Sequence, residues 1–233
     1  MTGWPEITAL AAAGRLRLWW RDDDAVADTP ALRRLLAIAG RAGIRVGVAV
    51  VAGRAEPGLV PALAGHRPLV HGWLHANHAP AGTKKSEFCA GRPEDDLRAA
   101  LARMAGLFGP ALVPALVPPW NRIDATLARA LPGLGYRGLS TFGLWRAEGG
   151  PRLQVNTHVD IIDWHGTRGF AGDRVLAELA GRAAKGESTG VLTHHLVHDE
   201  AAWAFLERLA GVPGIAWDDP AALLGGIAGE GRW

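Results

Sequence analysis

Arg17-Leu18-Trp19-Trp20-Arg21-Asp22-Asp23-Asp24 is the stretch that decides the fold. Arg17 to Arg21 has the length and apolar character of a buried strand, and it ends abruptly in three acids. An open nucleotide-binding sheet carries a glycine-rich phosphate loop after its first strand. Three carboxylates at that position repel phosphate, so the reading turns to a closed barrel, whose chemistry sits at the strand ends.

Outward from that strand, helical and extended segments alternate. Thr29-Pro30 caps and opens a helix that carries Leu32, Leu35, Leu36 and Ile38 and stops at Gly43. Ile44–Val51 is a β-branched run of the kind buried on both faces. Further strands are expected at Pro68–His71, Leu112–Val117, Tyr136–Thr141, Leu153–Val159, Gly190–His194 and Ile215–Trp217. Helices are expected at Gly58–Ala64, Pro93–Phe108, Asp124–Leu131, Gly172–Ala184, Asp199–Ala210 and Pro220–Ile227. Gly72–Arg92 has no periodicity and reads as a long functional loop. Seven or eight βα units without a linker predict an α/β fold, a distorted parallel (β/α)7–8 barrel forming one domain over residues 1–233.

Composition narrows the function. The chain has 233 residues, a hydrophobic fraction of 48% and a formal charge of +2, as a globular protein does. Its arginines are scattered, with no basic block for nucleic acid. No apolar run is long enough for a bilayer, so neither nucleic acid nor membrane is an expected partner. Cys89 is the single cysteine, which rules out an internal disulfide and a cysteine-rich zinc site. Met1–Leu10 lacks the pattern of a secretory signal, and the expected location is cytoplasmic. Ten tryptophans against one tyrosine leave room for sugar-stacking platforms, hence a carbohydrate partner. The oligomeric state stays open.

The reactive residues gather where a barrel needs them. Asp22–Asp24 end the first strand, His71 the third and His194 a late one, and Asp160 and Asp163 follow another. His71-Gly72-Trp73-Leu74-His75 places two imidazoles four residues apart. Among nine histidines, chance alone supplies such a pair, so it gains meaning only from the other strand ends. Two imidazoles and a carboxylate form a common ligand set for a catalytic divalent metal with an open position.

The ordered set resembles the polysaccharide deacetylase family, the NodB-homology carbohydrate esterases (family 4), from about Trp19 to Asp199. His71-x-x-x-His75 matches the family's His-(Ser/Thr)-x-x-His, with Gly72 at the hydroxyl position. Asp160-Ile-Ile-Asp163-Trp164 matches Asp-x-x-Asp-Trp, and Leu192-Thr-His194 matches Leu-x-His. The family's adjacent aspartates lie within Asp22–Asp24. The resemblance implies a metal-dependent hydrolase that removes an acetyl group from an N-acetylated oligo- or polysaccharide. Asp24, His71 and His75 would bind the metal, zinc first, with cobalt, nickel or manganese as alternatives. Asp23 would be the base, and His194 the acid that protonates the leaving amine. The register Asp22 as base and Asp23 as ligand also fits.

Two departures stand out. Val117-Pro118-Pro119-Trp120 keeps the proline and aromatic of the family's Arg-x-Pro-aromatic motif but lacks the arginine, and Ala25 replaces the usual glycine after the acid pair. Arg122 or Arg21 could orient a carboxylate instead. The expected catalytic set is therefore Asp23, His194, Asp163 and Arg122. Substrate contacts are expected from Pro119, Trp120, Trp164, Asn77 and Glu87, with Lys84 and Lys85 beside Glu87. Two other functions compete: hydrolysis of a different C–N bond in a small molecule, and a non-catalytic carbohydrate-binding barrel.

Overall fold

A computed structural model describes residues 3–183, 186 and 188–225. In chain order the helices are α1 (Trp4–Ala12), α2 (Pro30–Arg41), α3 (Leu59–Ala62), α4 (Asp95–Phe108), α5 (Ala125–Ala130), α6 (Asp173–Ala183), α7 (Glu200–Ala210) and α8 (Pro220–Leu224). The strands are β1 (Arg17–Ala25), β2 (Val46–Val50), β3 (Arg67–Val70), β4 (Ala115–Leu116), β5 (Gly138–Leu139), β6 (Leu153–Gln154), β7 (Thr157–Asp160), β8 (Thr189–Thr193) and β9 (Ala216–Trp217).

All named strands belong to one sheet, ordered β6-β5-β4-β3-β2-β1-β8-β7 with β9 beside the start of β1, and every pairing is parallel. The run expected as one strand over Leu153–Val159 is split into β6 and β7. β6 pairs with β5, and β7 pairs with β8. Thr157 is bridged to Phe142 on one side and to Gly190 on the other, so the split run is the seam that curls the sheet into a distorted (β/α)7–8 barrel.

Two apolar layers follow from strand alternation. Leu18 and Trp20 of β1 join the large core shared with the helices. Trp19 points the other way and packs with Ala49, Leu69, Ala115, Val117 and Leu224 inside the barrel. α8 closes the lower end: a Cβ at Gly47 would come 3.3 Å from Pro220, and one at Gly138 would come 2.8 Å from the Leu224 carbonyl.

Several boundaries differ from expectation. β1 does not stop at Arg21 but carries all three acids to Ala25. β4 is two residues long because Pro114 and Pro118 flank it and donate no ladder hydrogen bond, and β5 is equally short. α4 starts at Asp95, where two acids suit the helix N-terminus. α1 was not anticipated; it buries Trp4, Ile7 and Ala11. The expected ends of α6 at residue 184 and of α8 at 226–227 lie outside the described residues. Among the described residues no helix is long and apolar enough to cross a membrane.

Candidate metal-binding active site

The three acids of β1 meet different partners because the strand breaks its alternation there. The β1–β2 register shifts between Asp22 and Ala25, and Asp24 takes φ +76°. Asp22 turns to β8, accepting hydrogen bonds from Thr193 Oγ1 at 2.6 Å and His195 N at 3.1 Å and pairing with His195 Nδ1. Asp23 points into the barrel. Asp24 turns over the barrel's upper mouth toward the loop after β3.

There Asp24 Oδ1 lies 3.1 Å from His71 Nε2 and 3.2 Å from His75 Nε2. One ligand atom from each of the three residues falls within 4.8 Å of the others. Ligands around a tetrahedral zinc ion stand ~3.3 Å apart, so these spacings fit such an ion. His71 Nδ1 donates to the Val117 carbonyl at 2.9 Å, which directs Nε2 at Asp24; in the metal-free protein Nε2–H donates to that carboxylate, and loss of its proton would free Nε2 as a ligand. Burial alone would raise the Asp24 carboxyl, but the His71 and His75 hydrogen bonds, with the charges of His71 and His194, hold it far below the ordinary range. Burial opposes a charged His71, yet Asp24 and the negative charge of Asp23 outweigh it and raise its pKa. The register Asp22/Asp23 is not the one the geometry assembles, since Asp22 is turned away to His195.

Asp23 is gripped by Arg21, two residues earlier on the same face. Arg21 Nε donates to Asp23 Oδ1 at 2.8 Å and Nη2 to Oδ2 at 3.0 Å. The remaining donors reach Ser140 Oγ, the Thr141 carbonyl and Asn121 Oδ1. All five N–H donors are thereby used, and the side chain is 0% exposed. Arg122, by contrast, points outward and donates to the Lys85 carbonyl at 3.0 Å. Of the two arginines expected to orient a carboxylate, Arg122 or Arg21, it is Arg21 that holds Asp23, and Arg122, placed in the expected catalytic set, does not reach it. A buried arginine inside an apolar strand was the signal for it.

The far wall comes from β7 and β8. Trp164 Nε1 donates to Asp160 Oδ2 at 2.8 Å, and its ring meets the His194 ring edge-on at 4.8 Å. Burial raises the Asp160 carboxyl above its usual range, partly offset by the charge of His194. Asp163, expected to be catalytic, instead caps its own turn, accepting from Gly166 N at 3.1 Å and Thr167 N at 3.3 Å. Asp160, the first acid of the Asp160-x-x-Asp163-Trp164 motif and not placed in the expected catalytic set, is the carboxylate beside His194. His194 Nδ1 has no hydrogen-bond partner among the described residues.

The expected substrate contacts divide. Trp120 lies 4.4 Å from the His75 ring with φ +55°, and Pro119 is buried against Gly72 of the loop after β3. Trp164 is 40% exposed on the rim. Asn77 Oδ1 is occupied by Ala79 N and Ser86 N, which folds the loop on itself. Glu87 is buried under the loop, its oxygens bonded to backbone amides, and is corrected from a substrate contact to an internal one.

The molecule is thus an α/β barrel with a His-His-Asp cluster at its carboxyl end. Solved structures share that fold. A CE4 esterase of Streptococcus mutans matches with a TM-score of 0.59 at 14% identity, covering 91% of this chain and 89% of that one. A chitin deacetylase of the fungal pathogen Colletotrichum lindemuthianum matches at 0.56 and 16%, covering 91% and 88%. A family 4 acetyl xylan esterase of Clostridium thermocellum, in complex with a cobalt ion, matches at 0.56 and 16%, covering 89% of each chain. No protein-family model matches the chain, and no curated protein is similar in sequence. The chain therefore has the fold of the family 4 carbohydrate esterases and chitin deacetylases, as its motifs led one to expect.

Proposed function

We propose that the protein is a metal-dependent hydrolase that removes the acetyl group from an N-acetylated sugar, acting as one catalytic unit over residues 1–233. The observation that carries this reading is the convergence of Asp24, His71 and His75 beside an arginine-held carboxylate. Two of the neighbours are a chitin deacetylase and an acetyl xylan esterase, and the latter was solved with cobalt, which supports both removal of acetyl from a carbohydrate and a divalent ion.

In this reading Asp24, His71 and His75 hold the ion, zinc or another of cobalt, nickel and manganese. A bound divalent ion supplies a Lewis acid for the acyl carbonyl and makes water acidic enough to lose a proton near neutrality. Asp23 is the carboxylate that would accept a proton from the attacking water. Arg21 fixes both oxygens of Asp23, so the carboxylate meets water in one orientation rather than rotating. His194, on the opposite wall, gives a proton to the departing nitrogen, leaving a free amine and acetate. Trp164 packs against His194 and orders Asp160 beside it, which fixes the imidazole on that wall. The Trp120 and Trp164 rings flank the mouth as sugar platforms. The single thiol fits a reducing, cytoplasmic setting.

Metal analysis of purified protein tests the ligand set. Wild type is expected to bind about one divalent ion per chain, and Asp24→Asn and His75→Ala to lose it. Full metal content in both variants would defeat the assignment.

A further inference from the structure

The loop after β3 has charged residues that a sequence places at the surface, yet Glu87 is 1% exposed. Its Oε1 accepts from Leu74 N at 2.7 Å and Ala76 N at 3.4 Å, and its Oε2 from Trp73 N at 3.2 Å. All three amides belong to the short span that separates or directly follows the imidazoles His71 and His75. The same span is held from its other side, where the Gly72 and Trp73 carbonyls accept from Ala52 N and Gly53 N. Glu87 is anchored by its neighbour: Phe88 is buried, bridges to Ile123 and accepts from Asp124 N at 2.7 Å.

Gly72 completes the arrangement. Its φ is +65°, and a Cβ there would lie 2.0 Å from Glu87 Oε2 and 2.8 Å from Pro119. The position where the resembling family carries a hydroxyl side chain is filled here by a carboxylate arriving from fifteen residues down the chain (72 to 87). His75 itself sits at φ +57°, a conformation that costs free energy and persists only when its surroundings impose it.

We propose that Glu87 is a positioning residue for the metal centre, holding the His71–His75 turn so that both Nε2 atoms converge on Asp24. This rests on the reading that those three residues bind a divalent ion. A carboxylate accepting several backbone N–H bonds is a strong, directional clamp, and removing it strands buried donors. With its oxygens already engaged and its side chain covered, Glu87 offers no surface to substrate.

The test is titration of Co2+ into metal-stripped wild type, Glu87→Gln, Glu87→Ala and His71→Ala, read by calorimetry and by the visible spectrum of bound cobalt. Glu87→Ala is expected to weaken binding by about 10–100-fold, the range for partners that orient metal ligands. Glu87→Gln keeps the shape and one acceptor, so its loss falls between and its cobalt spectrum differs from wild type, a change that general destabilisation would not produce. Should Glu87→Ala fail to fold, Glu87→Gln carries the comparison alone. Wild-type affinity and spectrum in Glu87→Gln and Glu87→Ala, with binding lost in His71→Ala, would overturn the role of Glu87 and leave the metal site standing. Wild-type affinity in His71→Ala would overturn the ligand assignment and the inference with it.

Discussion

Asp22, Asp23 and Asp24 are identical in kind and adjacent in sequence, yet one meets His195, one Arg21 and one the His71–His75 pair. Residue type told that this strand end mattered. It did not tell which acid did what, because a register shift and one left-handed residue decide the facing, and neither has a sequence signature at a non-glycine position. The motif matches His71, His75 and His194 were legible. Arg21, Asp160 and Glu87 were harder, since their importance lies in partners remote along the chain. Arg21 and Asp23 give a prediction at this scale. Arg21→Met leaves a buried carboxylate without its cation, a change that costs about 3–5 kcal/mol. Chemical denaturation is expected to show a loss of that size. A variant as stable as wild type would mean that Asp23 does not depend on the pair.

At the scale of elements, the alternation of strand and helix was legible nearly throughout, because the longer helices carry an apolar stripe and α2, α5, α7 and α8 open on a capping side chain. Thr29 caps α2 through Leu32 N, and Asp199 caps α7 through Ala202 N. What escaped was set by neighbours. The break between β6 and β7 follows from a strand that must pair with β5 at its start and β8 at its end. α1 escaped because it is short and takes its helical state from burying Trp4 and Ile7. Asp199 offers a clean test, as its second oxygen also accepts from Phe170 N and so ties α7 to the loop after β7. Asp199→Ala should cost about 1–2 kcal/mol, measured as a lowered denaturation midpoint. A shift within error would show that water replaces the cap.

At the scale of the whole molecule, the barrel converts scattered polar residues into a site by bringing strand ends together, and buried histidines make the assembly pH-sensitive. Burial lowers His198 to about 4, below its ordinary 6.5. Between those values the unfolded chain binds more protons than the folded one, so the contribution of a neutral His198 is complete above pH 6.5 and is lost as pH falls toward 4. His195 works in the other window. Burial opposes its charge, but Asp22 outweighs that and raises it, so its contribution is present below pH 6.5 and fades as pH rises. The metal-free protein should therefore lose stability on acidification from pH 6.5 to 4, and His198→Gln should lose less by on the order of 2 kcal/mol. Equal slopes for both proteins would remove His198 from the account.

In the proposed function these strand ends form a metal-dependent deacetylase. The most direct measurement is acetate release from a panel of N-acetylated oligosaccharides, by protein loaded with zinc or cobalt and by protein stripped with chelator. Release by the loaded protein, none after stripping, and recovery on adding the metal back are expected. Acetate released equally with and without chelator, or from no N-acetylated sugar under any metal, would contradict it.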